Sequence, residues 1–82
     1  MTPDGLKKRV VEEFNCNGLL RCLDVETSAF RELPRFFEAS HLAMRLVLHD
    51  IAALAAATSV AAEIKRDLEQ KGVELEYEIR PQ

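Results

Sequence analysis

HLAMRLVLHDIAALAAATSVAAEIKRDLEQK, the sequence of residues 41–71, contains neither glycine nor proline, and Gly72 follows it directly. Glycine is common just beyond a helix end, because it adopts positive φ without strain. Apolar and small residues recur through the stretch at nearly heptad spacing: Met44, Val47, Ile51, Leu54, Thr58, Ala61, Ile64 and Leu68. This spacing predicts one helix over 41–71, which at the helical rise per residue would be about 45 Å long.

The middle of this predicted helix is rich in alanine. Residues 51–62 carry no charge, and alanine fills most of 52–62. Because small side chains let another helix approach closely and an uncharged surface needs cover, we expect a packing surface here. The alternative is a break near His49-Asp50 or Thr58-Ser59, with Asp50 or Ser59 capping a second helix that folds back on the first.

Residues 73–80 alternate strictly between apolar and charged side chains. Valine, leucine, tyrosine and isoleucine occupy one set of positions, and the other set is Glu74, Glu76, Glu78 and Arg80. A period of two places each set on its own face of a strand. We therefore predict a half-buried strand over 73–80 with one acidic face.

The N-terminal segment predicts a helix over 3–15. Thr2 offers a capping hydroxyl, Pro3 suits the first helical turn, and Gly18 can end the helix. The alternative is a hairpin that turns at Asn17-Gly18, a common two-residue hairpin sequence. Its register would pair apolar with charged side chains, so we favour the helix.

Residues 19–25 predict a short strand, because leucine and valine at positions 19, 23 and 25 would share one face. Thr27 and Ser28 then offer caps for a short helical segment. This segment includes Pro34, which would break or kink it, and carries Phe30, Leu33, Phe36 and Phe37.

Together these elements predict an α+β domain dominated by the long helix, with a small sheet formed by strands 19–25 and 73–80. The 82 residues allow a single domain, 1–82. A helix of about 45 Å is longer than a globule of this size, and a two-stranded sheet is too small to be stable unaided. Pairing of two chains would relieve both shortfalls, so we expect a homodimer with an interface that includes Val47, Ile51, Leu54 and Ala61.

The charge distribution argues against nucleic acid as the main partner. The formal net charge is −3 and the pI is about 5.3, whereas a duplex-binding domain normally presents a basic stripe. All of the acidic excess falls in residues 46–82. The one basic cluster, Lys7-Lys8-Arg9, together with Arg21 supports a weak nucleic-acid binder as an alternative.

Cysteine and histidine spacing predicts neither a metal site nor a redox pair. Cys16 and Cys22 are separated by five residues, which is neither a C-x-x-C pair nor half of a zinc ribbon. His41 and His49 would lie too far apart on a helix to share a metal, so we expect buried, reduced thiols, no metal and no cofactor. The uncharged run 51–62 is too short to span a bilayer, and no secretory signal is apparent. The expected location is the cytoplasm.

Two neighbouring residues of the predicted helix are candidates for chemistry. Asp50 would fall on the apolar side, where a carboxylate must be paired, protonated or used as a cap. It is the candidate functional carboxylate, with an ion pair or a helix cap as the structural alternative. His49 followed by Asp50 resembles the phospho-accepting histidine boxes of signalling helical hairpins, and this resemblance implies phosphotransfer on His49 as an alternative function.

No other arrangement of residues predicts catalysis. The serines lack a nucleophile-elbow setting, and the glycines form no phosphate-binding loop. We predict a small non-enzymatic regulator, inhibitor or assembly factor that binds another protein, with a small enzyme subunit as a further rival. The predicted contact surface consists of acidic residues near the C terminus: Glu74, Glu76, Glu78 and Asp67.

Overall fold

The computed structural model describes residues 2–29 and 40–82, and side chains are described for 2–27 and 41–82. The elements follow in the order helix, strand, strand, helix, strand, with a 3-10 turn before the first strand and another before the second helix. The α+β class predicted from the sequence is confirmed. The bounds are α1 Pro3–Cys16, 3-10 turn Leu20–Cys22, β1 Leu23–Ala29, β2 Ser40–Leu48, 3-10 turn Ile51–Ala53, α2 Leu54–Gln70 and β3 Val73–Pro81.

The three strands form one mixed sheet in the order β1-β2-β3. β1 and β2 are antiparallel, with Leu23 opposite Leu48. β2 and β3 are parallel, with Leu48 opposite Pro81. Parallel neighbours need a crossover connection, and α2 provides it.

Both helices pack on one face of the sheet, α1 mainly against β1 and α2 mainly against β3. We call this side the inner face and the opposite side the outer face. Apolar residues at alternate strand positions and one stripe of each helix meet at the inner face and form the core. Its largest fully buried side chains are Leu6, Val10, Phe14, Leu46, Leu48, Ile64, Leu68 and Leu75.

The helix predicted over 41–71 is wrong in its N-terminal part. Residues 41–48 belong to β2, and the helical region is Leu54–Gln70 with the 3-10 turn ahead of it. The segment HLAMRLVL also alternates with a period of two, which places its leucines and Met44 in the core. A short apolar run fits the period of a helix and that of a strand. Residues 41–48 form a strand because they pair with β1 on one side and β3 on the other. The chain does break at His49-Asp50, where one alternative placed a break, but the break separates a strand from a helix and not two helices.

The strand predicted over 19–25 is displaced along the chain. A 3-10 turn precedes β1, which begins at Leu23, so Thr27 and Ser28 continue a strand instead of capping a helix. The hydroxyl of Thr27 donates to the carbonyl of Pro3 at 2.9 Å and joins β1 to the start of α1. The predicted helical segment, including Pro34, lies outside the described residues, with Phe30, Leu33, Phe36 and Phe37.

The N-terminal helix and the C-terminal strand predicted from the sequence are confirmed. The hydroxyl of Thr2 caps α1 by accepting a hydrogen bond from the backbone N–H of Gly5 at 3.1 Å. Gly18 follows α1 with φ of 71°, and Gly72 precedes β3 with φ of 84°. Other residues enter this left-handed region at a cost, so each glycine supplies the turn after a helix. The alternative hairpin at Asn17-Gly18 does not form.

Candidate functional site

The outer face of the sheet is a charged surface that no helix in the described part of the chain covers. Its residues come from alternate positions of all three strands, because the alternation that sends apolar side chains to the core sends their neighbours outward. Those with described side chains are Asp24, Glu26, His41, Ala43, Arg45, Val47, Glu74, Glu76, Glu78 and Arg80.

This outer face carries a net charge equal to that of the whole protein. Its described side chains include five carboxylates and two arginines, which leaves three net negative charges when the histidine is neutral. The formal charge of the chain is also −3, so the remaining residues balance to zero. A face of one predominant sign creates a potential that attracts an oppositely charged partner.

Arg45 lies at the centre of the outer face and contacts carboxylates from both neighbouring strands. Its Nε is 3.3 Å from Oε1 of Glu78, and its Nη1 is 3.6 Å from Oε1 of Glu26. Oε2 of Glu78 also forms an ion pair with Nε of Arg80 at 3.2 Å. All four side chains are between 48% and 61% exposed, so these ion pairs contribute little stability. Glu26, Arg45 and Glu78 line an open depression of about 230 Å³ together with Ala43.

The structure places the predicted row of glutamates on this face, and we call Glu74, Glu76 and Glu78 the β3 carboxylates. Asp24 and Glu26 join them across the sheet, which the sequence did not predict. β1 and β3 share one face only because β2 pairs with both of them, and the sequence pattern predicts a helix for the residues of β2. A signal existed, because Asp24 and Glu26 alternate with leucine and valine in the same way.

Asp67 does not belong to the outer face. It lies on α2, where its Oδ2 accepts from Nη1 of Arg9 at 2.9 Å and from Nζ of Lys71 at 3.2 Å. The hydrogen bond from Arg9, reinforced by Lys71, holds the pKa of Asp67 below its ordinary value. The same bond raises the pKa of Arg9. Asp67 therefore ties α2 to α1 and lies apart from the row of glutamates, and its role as a partner contact stays a prediction.

Asp50 is an exposed cap and not a buried carboxylate. Its Oδ1 accepts a hydrogen bond from the backbone N–H of Ala52 at 3.0 Å, at the start of the 3-10 turn that leads into α2. The prediction that Asp50 falls on an apolar helix face is wrong, because the chain leaves β2 at this point. Capping explains an acid here, so the contacts support the structural alternative and not a functional carboxylate.

His49 follows the carboxyl end of β2 and does not lie on a helix. Its Nε2 is 3.1 Å from Oδ2 of Asp24, and its Nδ1 contacts Oε1 of Gln82. Its backbone N–H donates to the carbonyl of Cys22 at 2.7 Å. Both ring nitrogens are therefore engaged at one end of the sheet, and the helical setting on which the resemblance to histidine boxes depends is absent.

The residues predicted at a dimer interface are found in separate places. Ala61 is fully buried in the core of its own chain, so its prediction as a contact residue is wrong. Val47 is half-buried on the outer face, whereas Ile51 and Leu54 near the start of α2 are 62% and 40% exposed. The helix that motivated the dimer is also shorter, about 26 Å for α2. The dimer stays a prediction, which light scattering during size exclusion can decide.

The basic cluster of α1 is partly engaged within the protein. Arg9 contacts Asp67 at 2.9 Å and Glu13 at 3.4 Å, while Lys7 and Lys8 are exposed. An arginine held by two carboxylates is less available to a phosphate. Of the three cations in this cluster, only Lys7 and Lys8 therefore stay available for the alternative function of nucleic-acid binding.

Both cysteines are free thiols, as expected, but their burial differs. Cys22 packs partly against the core, whereas Cys16, in the last turn of α1, is exposed. The expectation of burial is therefore wrong for Cys16. Within residues 2–29 and 40–82, no group of three histidine, cysteine or carboxylate side chains could hold a metal ion.

Comparison with known proteins gives no match to a family model, a curated protein or a solved structure. Among the described residues, no helix is both long and apolar enough to cross a membrane. The function is therefore inferred from the charges and contacts of the outer face and from the two edges of the sheet.

Proposed function

We propose that the protein is a small non-enzymatic regulator, inhibitor or assembly factor that binds a basic surface of another protein through the outer face of its sheet. The observation that carries this proposal is the concentration of the net negative charge on that face. The helix layer stabilises the fold from the inner side. The carboxylates and arginines described on the outer side are about half exposed or more.

The geometry of the carboxylates favours a partner with spaced cations. Neighbouring strands lie about 5 Å apart, and side chains on one face recur about every 7 Å along a strand. This spacing matches lysine or arginine side chains that alternate with other residues. Complementary charge of this kind raises the association rate and suppresses wrong partners.

The form of the outer face also favours a broad protein contact. The depression over Arg45 is open, and its charged lining residues are about half exposed or more. Sites for small molecules usually enclose most of the ligand in a largely apolar cleft. Ala43 and Val47, half-buried on the central strand, supply small apolar contacts between the charges.

Reversing the β3 carboxylates tests this proposal. The variant Glu74→Lys, Glu76→Lys, Glu78→Lys changes the net charge of the outer face from −3 to +3. We expect it to lose the partner in affinity capture from the native cell, quantified by mass spectrometry. Thermal unfolding should change little, because exposed substitutions usually alter the free energy of unfolding by less than about 0.5 kcal/mol each.

A matched control separates the site from the overall charge. The variant Glu12→Lys, Glu63→Lys, Glu69→Lys makes the same total change on exposed positions of the two helices. It should retain the partner. Equal loss in both variants would show that net charge, and not the outer face, determines capture, and unchanged capture by the β3 variant would exclude this face as the contact.

A further inference from the structure

The two edges of the sheet carry backbone groups that point away from it. Successive residues of a strand direct their N–H and C=O groups to opposite sides. The backbone N–H of His49 donates to the carbonyl of Cys22 at 2.7 Å, which extends the β1–β2 ladder. The even-numbered residues of β1 therefore form backbone hydrogen bonds with β2. The backbone N–H and C=O groups of Leu23, Val25 and Thr27 point to the free edge.

Two features of the free edge of β3 hinder the addition of another strand. The N–H of Gln82 donates to the carbonyl of Leu48 at 2.8 Å, so odd-numbered residues of β3 face its edge. At this edge, Nζ of Lys65 donates a hydrogen bond to the backbone carbonyl of Leu75 at 2.7 Å. Pro81 has no N–H to donate. Lysine and proline at an edge are common means of blocking strand addition.

The free edge of β1 lies beside a groove of about 490 Å³. Lys7 and Val11, one turn apart on α1, line one side together with Leu20, and residues 23–26 of β1 line the other. Val11 and Leu20 are partly buried and pack against the core. No side chain in the described part of the chain hydrogen-bonds to the backbone of residues 23–26. A groove beside an unpaired strand edge is a setting in which extended peptides add to sheets.

We propose that the edge of β1 binds an extended segment of the partner by strand addition, so that the segment lies in this groove as a fourth strand. The inference rests on the proposed function, since the segment belongs to the same basic partner. Its backbone would exchange hydrogen bonds with the outward-facing groups of Leu23, Val25 and Thr27. These bonds give affinity for any extended chain, and the side chains around them select its sequence.

The surroundings of the groove select alternating side chains. One set of the bound segment's side chains would lie on the outer side of the sheet, next to Asp24 and Glu26, which are 68% and 61% exposed. Lysine or arginine is favoured there, because opposite charges on neighbouring strands attract. The other set would point toward Val11 and Leu20, where Lys7 repels a cation. The occupant is therefore a strand in which basic residues alternate with apolar ones.

A short synthetic peptide of alternating lysine and valine tests the inference on the full chain by fluorescence anisotropy. A control peptide of the same composition, with its lysines and valines in separate blocks, has the same charge without the alternation. We expect the control to bind roughly tenfold more weakly, because it cannot place cations and apolar residues on opposite faces of one strand.

Methylation of the peptide backbone distinguishes strand addition from charge attraction. Methyl groups on alternate nitrogens remove the donors along one edge of the peptide and keep its charge. In an antiparallel addition the valine nitrogens face β1, and in a parallel addition the lysine nitrogens do. Methylation of one set should weaken binding roughly tenfold, while methylation of the other set leaves it nearly unchanged.

Two matched substitutions in the protein locate the peptide. Glu26 and Glu76 are both 61% exposed on the outer face, on opposite edge strands. At a strand spacing of about 4.8 Å, a lysine on the added strand would lie about 5 Å from Glu26 and about 14 Å from Glu76. The second distance exceeds the Debye length of about 8 Å. Glu26→Lys should therefore weaken binding roughly tenfold, and Glu76→Lys less than roughly twofold.

The outcomes separate this inference from the proposed function. Loss of binding with Glu26→Lys and with one methylated peptide supports strand addition at β1. Equal loss with both glutamate variants and no effect of methylation would overturn strand addition and keep the outer face as the contact. No binding of the alternating peptide would also overturn strand addition, and the triple β3 variant would then decide the proposed function by itself.

Discussion

The inner and outer faces of the sheet are built from the same three strands and have opposite chemistry. On β2, Leu46 is fully buried beneath the helices, while its neighbour Arg45 is 48% exposed on the other side. Within the described part of the chain, the buried residues of the inner face are all apolar, and the outer face carries the charges. Because side chains alternate with a period of two, adjacent residues of one strand belong to different surfaces.

This difference separates stability from recognition. Fully burying one leucine contributes about 1.5–3 kcal/mol to folding, whereas an exposed ion pair such as Arg45 with Glu26 contributes about 0–1 kcal/mol. Substitutions on the inner face should therefore change the free energy of unfolding. Substitutions on the outer face should change what the protein binds.

The largest effect is expected from shortening a buried side chain of β2. Leu46→Ala removes a side chain that is 0% exposed, and it should lower the free energy of unfolding by about 2–5 kcal/mol, because a cavity adds to the lost burial. Val47→Ala, one residue later on the outer face, should lower it by less than about 1 kcal/mol. Urea unfolding followed by circular dichroism measures both. Similar losses at the two positions would contradict the separation of the faces.

An intermediate effect is expected when the central cation of the outer face is removed. Arg45→Gln releases Glu26 and Glu78 from their ion pairs and makes the outer face more negative. The alternating lysine–valine peptide should then bind roughly twofold more tightly, because Glu26 beside the added strand no longer shares its charge with Arg45, and an exposed ion pair contributes about 0–1 kcal/mol. The free energy of unfolding should change by less than about 0.5 kcal/mol.

Arg66→Gln is the matched control for that change. Arg66 is exposed on α2, away from the outer face, and its loss alters the net charge of the chain by the same amount. We expect no tighter binding of the peptide. If both variants bound it equally well, the total charge and not the outer face would set the affinity.

The smallest effect concerns a carboxylate of the helix layer. The hydrogen bond from Arg9 lowers the pKa of Asp67, so its charged form is favoured in the folded protein. Its stabilising effect is complete above the unfolded pKa of about 3.9 and is lost as the pH falls through the lower folded value. Asp67→Asn should therefore be less stable than the natural chain at pH 7, and the two should converge in acid.

Glu78→Gln provides the outer-face counterpart for that substitution. Its ion pairs with Arg45 and Arg80 are about half exposed, and exposed pairs contribute little. At pH 7 the urea midpoint of Glu78→Gln should differ less from that of the natural chain than the midpoint of Asp67→Asn does. A larger difference at Glu78 would place stabilising electrostatics on the outer face and contradict the comparison.

Elements with a clear local signal were predictable from the sequence. α1 has a capping threonine, an N-terminal proline and apolar residues that recur at helical spacing, and β3 has unbroken alternation. The β3 carboxylates could be placed on an exposed face for the same reason. A break near His49-Asp50 stood only as an alternative to one continuous helix, because an aspartate can cap a helix or be paired within one.

The identity of β2 was not predictable from its residues alone. The segment 41–48 fits a helix and a strand almost equally well, and no glycine or proline marks its end. That Asp24 and Glu26 share the outer face with the β3 carboxylates was not predictable either, because this depends on a central strand that pairs with both edge strands.

The sequence by itself determined the α+β class, the N-terminal helix, the acidic C-terminal strand and the negative charge. These properties follow from local periods, caps and composition, which act within a few residues. Tertiary structure decided that 41–48 is a strand, that five carboxylates share one face and that the groove adjoins the β1 edge. Each of these depends on hydrogen bonds and packing between segments far apart in the chain, and local preference is too weak to settle them.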